Sequence, residues 1–181
     1  MKQVGGAELN VAVGAALLGL HTGVISKLPA HDIGSFMKGK IRSFGVSDDF
    51  FMYDQSPAAR VGIYYYENGA YPRKPKVIYD RNHSSFFSLD IDEIPEEVYT
   101  ASKCFHTTGI TLALSPQIRE TTIEMIKRFK EAGTLVSFDV NFRGNLWSGD
   151  EARECILKIL PYVDIFFCSE DTARLTFLKT G

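Results

Sequence analysis

The sequence predicts an α/β fold built on a mostly parallel sheet, with a small β flap beside it. Three observations carry that expectation. From Ile94 onward, short apolar runs alternate with segments whose apolar residues recur at helical spacing. Before them, residues 49–81 show strand and turn chemistry rather than helical period. At the start, the pair Gly5-Gly6 leads into a run of small and apolar residues that reads as a helix. Alternating strands and amphipathic helices imply right-handed βαβ units. Ligands of such sheets sit at the carboxyl ends of the strands.

Each element has its own signal. Residues 7–19 read as a buried helix, apolar nearly all round, and residues 22–27 as a short strand. Asp32 suits the N-cap of a helix over 33–44, with Gly45 just past its end. Ile33, Phe36, Met37, Ile41 and Phe44 share one face of it. Residues 50–53, 59–67 and 75–81 read as three strands of a meander spanning 49–81, with Asn68-Gly69 and Tyr71-Pro72 as turn residues. Pro95 fits the first turn of a short helix. Residues 104–107 form a strand, followed by a loop at 108–110. Ser115-Pro116 opens a helix to about Ala132, with Gly133 as its cap and Ile118, Thr122, Met125, Ile126 and Phe129 as its stripe. A strand over 135–140 follows. Ser148 and Glu151 make a capping box for a helix over 149–161. A strand over 164–168 and a last helix capped by Ser169 complete the pass.

Composition narrows the function classes. A chain of 181 residues fits one domain. A net charge of −2 gives neither a nucleic-acid footprint nor a basic membrane face. Cys104, Cys155 and Cys168 form no CxxC pair, which favours free buried thiols in a reducing compartment. The apolar run at 11–20 is short, glycine-broken and without a basic leader. The expectation is a cytoplasmic protein.

Four segments carry candidate chemistry, each with a plainer alternative. Gly5-Gly6 with Asn10 provides close backbone approach and helix N–H groups for a hydroxylated ligand; the alternative is a tight turn. Nothing precedes it to make a dinucleotide fingerprint. In residues 139–147 (Asp-Val-Asn-Phe-Arg-Gly-Asn-Leu-Trp), Arg143 follows a buried strand and could clamp a carboxylate or phosphate; the alternative is a local ion pair. Tyr79 and Arg81 share one strand face, with Tyr64 on the neighbouring strand, a set suited to a small polar acid or simply to an edge. Glu170 and Asp171 follow Ser169 at a helix start, where acids favour the dipole. His21, His31, His83 and His106 lack paired-ligand spacing, so no metal ligand is assigned.

On Gly5-Gly6-Ala7-Glu8-Leu9-Asn10 and residues 139–147, in this order, the chain resembles ribokinase-like (PfkB-type) carbohydrate kinases over essentially its whole length. Gly62-Ile63-Tyr64, residues 78–81 (Ile-Tyr-Asp-Arg), Thr108-Gly109-Ile110 and Asn141-Phe142-Arg143 steer the resemblance toward the 2-keto-3-deoxygluconate kinase branch; fructokinases share the pattern over 139–147.

The resemblance implies a three-layer α/β sandwich with a mostly parallel sheet and a small β lid over 49–81, present in part. It implies transfer of the ATP γ-phosphoryl group to a sugar hydroxyl, with Mg²⁺ bridging phosphates. Gly6 and Asn10 would meet the sugar, and Tyr64 and Tyr79 its hydroxyls. Arg81 and Arg143 would neutralise the carboxylate, and Ile110 would line the pocket. Asn141 and Glu170 would lie near phosphate and Mg²⁺.

The chain also departs from the family pattern. It contains no Gly-Ala-Gly-Asp, so the catalytic base is expected outside it, and Ser169 and Thr172 replace the ends of the family's Asn-x-x-Glu. One partial kinase domain over 1–181, truncated at both ends, is therefore expected. Its unpaired sheet edges favour homo-oligomers or marginal folding. Two other readings stay open: a catalytically inert sugar-binding derivative, and an unrelated Rossmann-type enzyme.

Overall fold

The structure, a computed structural model, describes residues 2–177. Helix α1 (Ala7–Leu17) follows Gly6 directly. Of its residues only Leu9 is fully buried, whereas Val11 and Leu17 are exposed, as are Leu18 and Leu20 beyond its end. The expectation of a helix buried all round is thus corrected. Leu9, Ala12, Val13 and Ala16 face a small cluster with Leu28, Ile41, Val46 and Phe51, and the described residues leave the opposite side uncovered.

The expected strand over 22–27 is two pieces, β1 (Thr22–Gly23) and β2 (Ser26–Pro29). Helix α2 (Asp32–Arg42) leads to β3 (Val46–Ser47) and β4 (Phe51–Asp54). β1 pairs in parallel with β3, and β2 with β4. The N-cap of α2 is His31 rather than Asp32: its Nδ1 accepts from the Ile33 N–H at 3.3 Å. Asp32 sits one position inside, where its charge still favours the helix dipole. Gly45 closes the turn after α2 at φ +79°, a conformation that suits glycine.

The expected three-stranded meander is corrected to a two-stranded hairpin. β5 (Ile63–Glu67) and β6 (Lys76–Asp80) pair antiparallel, with Tyr64 opposite Tyr79. Residues 51–54 leave that group because their partner is the parallel strand β2. The hairpin strands are exposed along their length, as befits a projecting flap.

Two 3-10 turns and the short α3 (Glu97–Ala101) lead into the main sheet. Its strands β7 (Cys104–Thr108), β8 (Leu135–Asp139) and β9 (Ile165–Phe167) lie in the order β7-β8-β9, all parallel. The segment after β7 is not a loop but a short helix, α4 (Gly109–Ala113), because the Thr108 side chain caps it by accepting from the Ile110 N–H. Helix α5 (Pro116–Glu131) is capped by Ser115. Helix α6 (Gly149–Ile159) carries the Ser148–Glu151 capping box, and α7 (Glu170–Thr176) is capped by Ser169.

The predicted stripe of α5 is the heart of the core. Ile118, Thr122, Met125, Ile126 and Phe129 are all buried, beside Val136 and Phe138 of β8 and Ala152, Cys155 and Ile156 of α6. Phe129 stacks on Phe105 at 4.2 Å and meets Tyr99 edge-on at 4.9 Å. All three cysteines are free, as expected, but only Cys155 on α6 is buried: Cys104 is exposed and Cys168 half-buried, since the ends of β7 and β9 lie at the surface of the described structure. Among the described residues no helix is long and apolar enough to cross a membrane.

Truncating Phe129 removes both ring contacts from a site with no exposed face. Phe129→Ala is expected to lower unfolding free energy by about 3–5 kcal/mol in urea titrations. A loss below about 1 kcal/mol would mean that α5 does not organise this core.

Candidate active site: a rim beneath the hairpin

The rim is built where β7 and β8 end. Gly109 opens α4 directly against the end of β8: a Cβ there would lie 2.1 Å from the Val140 carbonyl oxygen. Past β8 the chain turns through Asn141 at φ +38°, and the Asn141 N–H donates to Asp139 Oδ1 at 3.1 Å. Asparagine tolerates that left-handed turn better than a bulkier residue, and the Asp139 carboxylate satisfies the amide it frees. The turn delivers Arg143 to the surface. Trp147 folds back and is buried with the Arg119 guanidinium 5.5 Å from its ring.

The hairpin reaches the same region. Tyr64 and Tyr79 sit side by side across it, ring centroids 6.2 Å apart. The Tyr64 hydroxyl presses on the amino-terminal segment, where a Cβ at Gly5 would lie 2.8 Å from Tyr64 Oη. A side chain at Gly5 would have to push the Tyr64 hydroxyl end aside, whereas at Gly6 a Cβ would meet only Leu9 Cβ at 3.6 Å. The Arg81 guanidinium lies over the Tyr79 ring at 4.4 Å. Burial holds that guanidinium below its usual range, the Tyr79 hydroxyl opposes the shift, and the Arg143 charge adds to it. Arg81 and Arg143, 62 positions apart in sequence, therefore feel one another's charge.

The other predicted residues are placed as follows. Asn10 is exposed on the first turns of α1, and Ile110 is half-buried at the start of α4. Glu170 is exposed on α7 and pairs with Arg174 on its own helix at 2.5 Å. Among the described residues no group of three His, Cys, Asp or Glu side chains gathers to hold a metal ion.

Two participants were not singled out from sequence. Glu8 on α1 accepts from the Thr108 N–H and from the hydroxyls of Thr108 and Thr111, tying α1 to the end of β7. The signal was present, as an acid inside an otherwise apolar helix. His106, next to that contact, shares a 2.9 Å hydrogen bond with Ser137, while its Nε2 is buried without a partner among the described residues. Burial lowers its affinity for a proton, against the opposing charges of Glu8 and Asp139.

Comparison with known proteins agrees with this architecture. The sequence matches the pfkB family carbohydrate kinase profile over residues 1–180, and the chain belongs to that family. It is 38% identical over 176 residues to 2-dehydro-3-deoxygalactonokinase of Haloferax volcanii, an alignment covering 97% of this chain and 54% of that protein. It is 33% identical over 179 residues to fructokinase-1 of Zea mays, covering 98% and 54%. The structure superposes on the crystal structure of 2-dehydro-3-deoxygluconokinase from Thermotoga maritima with a TM-score of 0.89 at 34% identity, covering 95% of this chain and 52% of that one. The chain thus spans about half the length of the relatives it matches.

The lowered His106 pKa fixes the sign of a pH effect. The unfolded chain binds the proton more readily, so stability is present above about pH 6.5 and lost as pH falls through the lower folded value. Melting temperature is expected to drop between about pH 7.5 and pH 5.5, and by less in His106→Gln. Equal drops in both proteins would show that His106 does not titrate against folding.

Proposed function

We propose that this chain forms the sugar-binding part of an ATP-dependent kinase acting on a 2-keto-3-deoxy sugar acid. One observation carries the acid assignment: Arg81 is held over the Tyr79 ring at 4.4 Å beside the hairpin, and neither it nor Arg143 forms an ion pair with an acid among the described residues. Two guanidiniums near one another repel unless an anion lies between them, and a planar carboxylate suits their donor geometry. In this reading Gly6 and Asn10 contact the sugar, Tyr64 and Tyr79 bond its hydroxyls, and Ile110 lines the pocket. Tyr79 also supports the Arg81 guanidinium with its ring face.

ATP would supply the γ-phosphoryl group, with Mg²⁺ neutralising phosphate charge. Asn141 and Glu170 lie just past the ends of β8 and β9, the edge such ligands favour. Glu170 is engaged by Arg174, so no metal ligand is assigned to it. The hairpin would cover the bound sugar and keep water from the acceptor hydroxyl.

The likeness to a fructokinase supports a second reading, a neutral ketohexose substrate. Calorimetric titration with 2-keto-3-deoxygluconate and with fructose separates the two. The expected result is binding of the acid in preference to fructose, weakened about tenfold or more by Arg143→Ala and by Arg81→Ala. Preference for fructose, or indifference of acid binding to both substitutions, would reject the sugar-acid reading.

A further inference from the structure

Glu8 is the sole acidic residue of α1, and its bonds reach 100 positions along the chain. Its Oε1 accepts from the Thr108 N–H at 3.0 Å, Thr108 Oγ1 at 2.9 Å and Thr111 Oγ1 at 2.6 Å. A carboxylate only accepts, so both hydroxyls must give it their protons. A hydroxyl has one proton. With that proton directed at Glu8, Thr108 Oγ1 turns a lone pair toward the Ile110 N–H, which donates to it at 3.2 Å. Glu8 thereby sets the rotamer that starts α4 and the placement of Ile110. The site is tightly walled: Thr108 is 1% exposed, and Gly109 leaves no room for a Cβ against Val140. Charge-assisted bonds of this kind are stronger and shorter than neutral ones.

We propose that Glu8 is a positioning residue of the sugar pocket. It fixes α1, which carries Asn10 and follows directly on Gly6, against Thr108–Ile110 at the end of β7, so that both walls of the pocket keep one separation. Its consequence for ligand binding rests on the sugar-acid reading above; the clasp itself does not. A bond that added only global stability would shift the melt and leave both the local amides and sugar affinity unchanged.

The test is amide hydrogen exchange on the whole chain without ligand, together with titration of 2-keto-3-deoxygluconate. Wild type, Glu8→Ala and Glu8→Gln are compared. In Glu8→Ala the Thr108 and Ile110 amides should exchange about tenfold or more faster, while Ile126 in α5 keeps its protection. Affinity for the sugar acid should fall about tenfold. Glu8→Gln keeps the shape and one acceptor oxygen, so it should recover most of both losses, leaving the two amides only a few-fold faster than wild type. Should Glu8→Ala fail to fold, Glu8→Gln carries the test alone through that few-fold acceleration. Unchanged exchange at Thr108 and Ile110 in the folded variants overturns the proposal. A changed exchange with sugar affinity equal to wild type also overturns the positioning role. A wild-type chain that binds no sugar acid, yet shows the exchange pattern, upholds the clasp and rejects the sugar-acid reading instead.

Discussion

The contact on which the rim depends is the approach of α4 to the end of β8. Any side chain at Gly109 would collide with the Val140 carbonyl, and the Trp147 ring lies 3.4 Å from the same point. The chain leaving β7 therefore crosses the top of the neighbouring strand instead of rising into solvent. That approach sets Gly109 against Val140, the residue just before Asn141, although a long helix and a strand separate them in sequence. The parallel register, Thr108 opposite Asp139, ends both strands at one level. Buried Ile126, Phe129, Val136, Phe138 and Ile156 hold that register from below. A slip of one residue would turn every one of the strand side chains to the wrong face.

Above the rim the decisive physics is electrostatic. Arg81 loses solvent by burial and gains a like-charged neighbour in Arg143, both of which disfavour its charge, while Tyr79 beneath it opposes the shift. Neither arginine forms an ion pair with an acid among the described residues, whereas Arg60, three residues before β5, pairs with Asp80 at 2.8 Å. Eight further salt bridges among the described residues show that acids are available when a cation only needs neutralising. In the proposed reading these two cations meet an anionic ligand. The hairpin is well suited to bring Arg81 to it, since its base is held by Arg60 through the Asn82 carbonyl and Asp80.

Much of the fold could be read from residue spacing, because local rules and burial agreed. The α5 stripe and the Ser148–Glu151 box are local patterns, and both stand as expected. The errors came where partners are distant. Residues 51–54 look like any half-buried strand, and only the parallel partner β2 takes them out of the hairpin. α1 is apolar all round by composition, but burial depends on what surrounds it, and the described residues cover one side. His31 replaces Asp32 as cap because both residue types offer an acceptor at adjacent positions, and the backbone geometry chooses. Of the proposed site residues, Tyr64, Tyr79 and Arg81 were candidates by residue type and strand period and Arg143 by its place after a buried strand, and the family resemblance is what favoured them over plainer readings. Glu8 was not singled out, since its three donors lie a hundred residues away.

In the proposed reading the rim and hairpin together form a pocket for a sugar carboxylate. A crystal structure of this chain with 2-keto-3-deoxygluconate tests it most directly. The carboxylate is expected between Arg81 and Arg143, with sugar hydroxyls against Tyr64, Tyr79 and Asn10. A sugar acid bound with its carboxylate in solvent, or seated away from the hairpin, would contradict it.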